Sequence, residues 1–319
     1  MNEVIVNVAL VTYNRWNCLS KLLDALEKQT KKINSIIIVD NHSSDGTMNN
    51  LHERGAVDIV GDDETSVKEC KGIRYIYYYN KENEGGSGGF YKAIDIATGW
   101  ECDYLWIMDD DVLPETDCLE KLLGSMKPEI QAVIPNRTDK NFDDRVCTKL
   151  DMKSTLKFSV MKRKTFEPHP LRNSLYIVED IPFEGPLVSF EIVKKVGLPH
   201  KDFFILCDDT DYAIRIRKHT RIGFVTDATL HRQLAKKGGT GNKVFTWRDY
   251  YAIRNNILLE RMYGESFGAK YISPIIGYCW WLLLSIYKRR FKNLRILNMA
   301  YKDGLKGISG KVVNPGDFK

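Results

Sequence analysis

The sequence predicts an α/β fold, with a mostly parallel sheet flanked by helices and a C-terminal helical extension after it. Three observations carry this. Apolar runs of strand length alternate with segments of helical periodicity from residue 4 to residue 111. The connections between them are short. Clusters of polar, glycine-rich or acidic residues follow the strands, and in a parallel sheet such strand ends converge on one edge.

The elements follow in order. "VIVNVALVTYN" is a strand, and "RWNCLSKLLDALEKQ" is a helix with Leu19, Leu22, Leu23 and Leu26 on one face. "INSIIIVDN" is the second strand, ending in the turn-rich "NHSSDGT". "MNNLHERG" is a helix, "IRYIYYYN" a strand, "FYKAIDIATGW" a helix and "DYLWIMDDD" a strand. After Pro114 the pattern is mixed. "ETDCLEKLLGSM" reads as helix and "QAVIPN" as strand, while residues 137–178 are polar and lack periodicity. "EIVKKVGLP" and "DTDYAIRIRKH" are helices, and "IGFVTDATLH" is a strand. No Gly/Ser linker divides the chain. One catalytic domain over residues 1–262 and a helical, basic extension over 263–319 are expected.

Composition bounds the function. At 319 residues, 43% hydrophobic and 28% charged, the chain is globular, neither disordered nor fibrous. Seven cysteines without a C-x-x-C pair point to reduced thiols in the cytoplasm. The first residues read as the opening strand, since they lack a basic region and a cleavage site. The net charge of +5 is uneven: from Lys288 onward it is +7, so the body is slightly acidic. Such a tail suits an anionic partner. Nucleic acid is not expected, because no binding motif accompanies the charge.

The chemistry collects at strand ends. Asp109, Asp110 and Asp111 follow the buried run "YLWIM". Adjacent carboxylates repel, so this is either a solvated acidic turn or a cation site. Gly85, Gly86, Gly88 and Gly89 open a helix, either as a flexible loop or as a cradle where backbone N–H groups reach a ligand. The pattern fits neither a dinucleotide fingerprint nor a P-loop. Asp208 and Asp209 also follow an apolar run. They are helix caps or a general base. His231 ends a strand, as a plain residue or as a metal ligand.

"VTYNR", "VDNHSSDGT", "NEGGSGGF", "MDDDV" and "CDDTDYAIR", in this order, resemble family-2 inverting glycosyltransferases of the GT-A fold, whose sheet is Rossmann-like. Within that family the chain is most similar to bacterial galactofuranosyltransferases, with rhamnosyltransferases next, over about residues 4–262. The resemblance implies that Thr12, Tyr13, Arg15, Asp40 and Asp110 hold the nucleotide. Asn83, Gly85 and Gly86 would line the donor site. Asp109 and Asp111 would bind a divalent metal, manganese or magnesium, with His231 as a third ligand. Asp209 would be the general base, and Asp208, Glu184 and Gly185 would belong to the acceptor site. Galactofuranosyltransferases have tryptophans in that region, and "FEGPLVS" has none.

The implied activity is transfer of galactofuranose from UDP-galactofuranose to a hydroxyl of a lipid-linked bacterial glycan. The alternatives are transfer from dTDP-rhamnose, or a non-catalytic carbohydrate-binding or polysaccharide-assembly protein. A nucleotidyltransferase would carry glycines after the first strand, and "VTYNRWN" has none.

"YISPIIGYCWWLLLSIY", residues 271–287, is uncharged and is followed by "KRRFK". Seventeen residues of helix reach about 25 Å, short of the ~30 Å hydrocarbon core. The readings are a packing helix, a contact in a homo-oligomer, an interfacial helix on an anionic membrane or, least favoured at this length, a full span. The expectation is a cytoplasmic protein held peripherally on the inner face of the membrane. Arg254 and Asn255 either bridge the extension to the active site or cap a helix.

Overall fold

A computed structural model describes residues 4–139, 142–143, 146–166, 173–234 and 244–318. Lys319, counted in the basic tail, lies outside the described residues. The first half runs β1 (Val6–Thr12), α1 (Trp16–Glu27), β2 (Ser35–Asp40), α2 (Thr47–Glu53), β3 (Glu64–Cys70), β4 (Ile73–Tyr79), α3 (Gly85–Thr98), β5 (Tyr104–Asp109), β6 (Val112–Pro114) and α4 (Cys118–Gly124). The second runs β7 (Ile130–Asp139), β8 (Phe142–Asp143), β9 (Val146–Leu150), β10 (Arg163–Phe166), β11 (Leu175–Val178), β12 (Leu187–Ser189), α5 (Phe190–Val196), α6 (Asp208–Ile216) and β13 (Arg221–Arg232). Helices α7 (Trp247–Tyr263), α8 (Ser273–Tyr287) and α9 (Lys292–Lys306) follow.

The main sheet has the order β11-β13-β7-β12-β5-β1-β2-β4-β3. Strands β5, β1, β2 and β4 pair in parallel, as expected. β1 and β2 are buried along their whole length, which is why both read as unbroken apolar runs. The chain steps from β1 out to β2 and β4, then returns to the other side of β1 as β5. That reversal opens a crevice at the carboxyl ends of β1 and β5.

The two faces of the sheet hold separate cores. Val8, Leu10, Ile36, Ile38 and Trp106 pack on the α1 leucines. Ala9, Val11, Ile37 and Ile107 pack on Phe90 and Ile94 of α3, and that core extends to Tyr212 and Ile216 of α6. Burying each such aliphatic side chain is worth roughly 1.5–3 kcal/mol.

Short strands escaped the sequence reading. β12 spans three residues, yet it sits antiparallel between β5 and β7. β6 pairs antiparallel with β13. A stretch of three residues carries no periodicity to read. β3 is an antiparallel edge strand on β4, polar along most of its length.

α8 continues a π-helical turn, so one helix runs from Gly268 to Tyr287. Its 20 residues, within which an 18-residue stretch has a mean hydropathy of 1.2, make it longer than the uncharged run implied, and by length and composition alone it could cross a membrane. Its sidedness is inverted relative to a helix on a core. Ser273, Pro274, Gly277 and Ser285 are buried, while Ile275, Trp280, Leu283, Ile286 and Tyr287 are exposed. Gly277 lets the helix lie close on Phe158, where a Cβ would meet the ring at 3.1 Å.

Candidate active site

The strand register brings the first clusters together. Thr12 lies opposite Asp40, and Val11 opposite Asp109. Asp110 is the centre of this edge. Its Oδ2 accepts from Thr12 Oγ1 at 2.8 Å, and its Oδ1 accepts from Arg15 at 2.9 Å. Arg15 also reaches Asp111 Oδ2 at 3.0 Å. Asp110 and Asp111 are buried, whereas Asp109 keeps partial access to the crevice. Burial pushes Asp110 up to about 6, although Arg15 and Thr12 hold it down. Asp109 is raised well above the ordinary carboxylate range, first by burial and then by Asp111 and Glu184. Asp111 is raised for the same first reason. Burial and mutual repulsion therefore disfavour full ionisation of the triplet, which Arg15, and Arg232 at Asp111, only partly offset. Tyr13 extends from this edge with its ring exposed.

Asp40 is turned inward. It is fully buried, accepting from the Ser43 backbone at 2.7 Å and from Tyr77 Oη at 2.8 Å. It shapes the 41–46 loop, which docks on the 13–16 loop: Asn14 N donates to Ser43 Oγ, and Ser44 N to Asn14 Oδ1.

The glycine segment is the first turn of α3, as the sequence indicates. Gly85 has φ +75°, and a Cβ there would lie 2.1 Å from Phe204 O. Gly89 lets the helix approach β1, because a Cβ would meet Val11 at 2.5 Å. These two glycines are required by packing, whereas Gly86 has open space around it. Asn83 Oδ1 accepts from Gly85 N at 2.8 Å. Two residues missed in the sequence, Asn41 and Asn80, complete the mount. Asn41 Nδ2 donates to Gly85 O at 2.7 Å, and Asn80 Nδ2 to Asn41 Oδ1 at 2.8 Å. Their signal was an asparagine directly after a strand, twice.

Asp208 and Asp209 begin α6 after a strained loop. Phe204, Leu206 and Cys207 all have φ between 66° and 70°, a region that costs non-glycine residues about 1 kcal/mol or more each. α7 holds this loop. Asn255 Nδ2 lies 3.0, 2.8 and 2.9 Å from the carbonyls of Phe203, Ile205 and Leu206. Arg254 donates to Phe203 O at 3.0 Å, to Gly310 O at 2.7 Å and to Asn255 Oδ1 at 2.9 Å. Both side chains are fully buried. The C-terminal segment closes the same loop: Gly310 N donates to Asp202 O at 2.5 Å, and Lys311 Nζ to Asn83 O at 3.3 Å. Of the two readings of Arg254 and Asn255, the bridge is the one the structure has.

The two aspartates face different surroundings. Asp208 is buried beside Ser87 of α3 and is pushed up to about 7 by burial and by Asp209. Asp209 is half-buried and lines a cavity of about 220 Å³ with Glu184, Arg137, Arg163 and Asp180. Its carboxyl is raised by burial, while Arg163 and Arg137 act in the opposite direction. Asp208 thus lies against the first turn of α3, while Asp209 opens on the cavity. Glu184 pairs with Arg137 at 3.1 Å and with Arg232 at 3.0 Å. The Gly185 carbonyl accepts from Trp106 Nε1 at 2.9 Å.

His231 is not gathered with the aspartate triplet. Its Nε2 lies 3.1 Å from Glu115, and both side chains are about half exposed. The neighbouring Arg232 instead reaches Glu184 and acts on Asp111. Among the described residues no three His, Cys, Asp or Glu side chains form a metal cage. Asp109 and Asp111 still fit a hard divalent cation, since magnesium and its like are commonly held by two carboxylates plus substrate phosphates.

The sequence profile of Glycosyl transferase family 2 matches residues 7–197. Over 221 residues the chain is 26% identical to galactofuranosyltransferase GlfT1 of Mycolicibacterium smegmatis. The aligned stretch covers 66% of this chain and 65% of that protein, just under two thirds of its length. Solved structures of similar fold include GalNAc-T7 with UDP, GalNAc and Mn2+ (TM-score 0.58, 13% identity, 91% of this chain and 58% of that one). A second is the mannosyltransferase PcManGT of Pyrobaculum calidifontis with GDP-Man and Mn2+ (TM-score 0.54, 14% identity, 94% and 86%). A third is S. aureus TarS 1–349 with UDP-GlcNAc (TM-score 0.52, 12% identity, 83% and 69%). Identities this low speak to fold alone, and the fold is GT-A. With the profile spanning more than half of its length, the chain belongs to glycosyl transferase family 2.

Proposed function

We propose that the chain is a metal-dependent inverting galactofuranosyltransferase that moves the sugar from UDP-galactofuranose to a hydroxyl of a lipid-linked glycan. The observation that carries this is the pair of carboxylate centres: Asp109 to Asp111 at the end of β5, and Asp209 in the adjacent cavity. The name of the 26% identical relative supports the choice of sugar. Thr12, Arg15 and Asp110 brace the strand end that meets the nucleotide. A divalent cation on Asp109 and Asp111 would supply charge neutralisation for the leaving diphosphate. Asp209 takes the proton of the acceptor hydroxyl, whose oxygen attacks the anomeric carbon from the face opposite the leaving group.

Calorimetry with UDP-galactofuranose and manganese tests the donor half. Asp111→Asn is expected to weaken metal-supported donor binding by about tenfold or more while the protein stays folded. Full transfer in excess chelator, or efficient transfer from UDP-glucose, would overturn the reading. A pH dependence follows. Asp110 titrates at about 6 when folded, against ~3.9 when unfolded. Its stabilising contribution is therefore complete below the unfolded value and is lost as pH rises through about 6. Manganese favours the charged carboxylates, so the rise in Tm that it produces should be larger near pH ~7 than near pH ~5.

The exposed apolar face of α8 and the basic residues after it support attachment to the inner leaflet of the cytoplasmic membrane. Ile275, Trp280, Leu283 and Tyr287 would enter the interface, with Lys288, Arg289 and Lys292 beside anionic headgroups. Each such cation is worth about 1 kcal/mol near the surface. The protein is expected to float with anionic liposomes at low salt and less at high salt. Failure to float, together with a dimer in solution, would assign the face to a second copy of the chain. Resistance to carbonate extraction would mean that the helix spans.

A further inference from the structure

A second cavity, of about 470 Å³, lies beside the one that holds Asp209, and Arg163 lines both. Its other cations are Lys149, Lys157, Lys162 and Lys164, and its one carboxylate is Asp151. Three of the five cations are already engaged. Lys157 pairs with Asp151 at 3.0 Å. Buried Lys162 donates to Ser154 O at 3.2 Å and lies 3.9 Å from Glu260. Arg163 pairs with Asp180 and donates to Thr210 at 2.7 Å. Lys149 and Lys164 have no carboxylate partner among the described residues, and they stand directly opposite each other on the antiparallel β9–β10 pair. Like charges in that position repel across the strands. Two lysines set face to face on a cavity wall are what an anion with several oxygens would bridge.

We propose that this cavity is a subsite for a phosphate or diphosphate group of the acceptor, seated beside the pocket where the acceptor hydroxyl meets Asp209. The surroundings suit a phosphate that carries an apolar chain. Met161 lines the cavity and is 53% exposed, and Leu156 and Val160 beside it are more exposed still. This loop rests on α8, whose Ser273 Oγ donates to Lys157 O at 2.7 Å. Ser273 is on the buried side of α8. From the same loop the Phe158 ring reaches Trp280 of the exposed apolar face, 6.4 Å between centroids, so that face and the cation-lined cavity are joined through this loop. The inference deepens the proposed function by naming a phosphorylated acceptor, and it rests on that reading for the acceptor's role.

The test is calorimetric titration of inorganic pyrophosphate into the full-length protein in excess chelator. No donor, metal or turnover is involved, so a failure of the glycosyl-transfer reading would leave this result standing. The wild type is expected to bind, and K149S/K164S to bind about tenfold more weakly or worse, with an unchanged Tm. Asp111→Asn should bind as the wild type does, because the donor edge is not used. Absence of binding to the wild type, equal binding by the double variant, or loss in Asp111→Asn would overturn the proposal. Flotation on phosphatidylglycerol vesicles separates the two sources of phosphate. K149S/K164S should float as the wild type does. If it loses flotation while its pyrophosphate binding is unchanged, the lysines serve bilayer headgroups and the acceptor subsite is wrong.

Discussion

Replacing Asp209 with asparagine is expected to lower sugar transfer by about 10²–10⁴-fold while donor affinity stays nearly unchanged. Asparagine keeps the size of the side chain and can still accept from Thr210 N, which lies 2.7 Å from Asp209 Oδ1. It cannot take up the acceptor proton. Because burial raises the Asp209 carboxyl, the acid limb of the kcat/KM profile should lie above the ordinary carboxylate range. Activity is lost as pH falls through that limb, since the base becomes protonated. Calorimetry with donor and manganese, alongside product analysis, makes the comparison. A drop in donor affinity as large as the drop in rate would move Asp209 to the donor site. Asp208→Asn provides the contrast: facing Ser87 and the glycine-rich turn, it should disturb donor affinity along with rate.

The second large effect concerns a residue that need not touch any substrate. Asn255→Ala removes the amide that holds three carbonyls of the strained 203–206 stretch. Leaving buried acceptors unpartnered should cost about 2–4 kcal/mol of stability. Turnover should fall further than unfolding explains, because the strained conformations at 204, 206 and 207 would relax and carry Asp209 away from the cavity. The discriminating measurement is kcat at a temperature where the variant is fully folded by circular dichroism. Wild-type kcat there would mean that Asn255 stabilises without positioning. Asn255→Gln, which keeps the amide, should recover part of the loss.

Much of this was legible in the sequence, and the exceptions have physical reasons. The parallel strands showed because both of their faces are buried, so Val6–Thr12 and Ser35–Asp40 are apolar almost throughout. The strand-end residues followed, since topology alone brings Thr12, Asp40 and Asp109 into register. The sequence shows that Asp40 ends a strand but not that it is buried there on Ser43 and Tyr77. Nor could it tell which neighbour along β13 turns toward the site; Arg232 does, and His231 meets Glu115. Arg137, Arg163 and Asp180 were missed because the region around them lacks periodicity, and their meeting with Asp209 depends on contacts far apart along the chain. The tight Gly85–Phe204 approach was equally hidden, since the sequence marks the glycine but not its opponent.

The bracing of the 203–207 loop has a consequence for how the enzyme comes into being. The proposed nucleotide edge is made of residues 12–111, whereas the loop that leads into the proposed base, Asp209, is fixed by residues 254–255 and 310–313. Synthesis delivers these parts in that order. A growing chain could acquire a nucleotide-binding edge while its base is still unaimed, and it would gain transfer chemistry only after the last braces dock. In a ribosome-release experiment, nucleotide binding should therefore precede transfer, and the interval between them would report the docking of the tail.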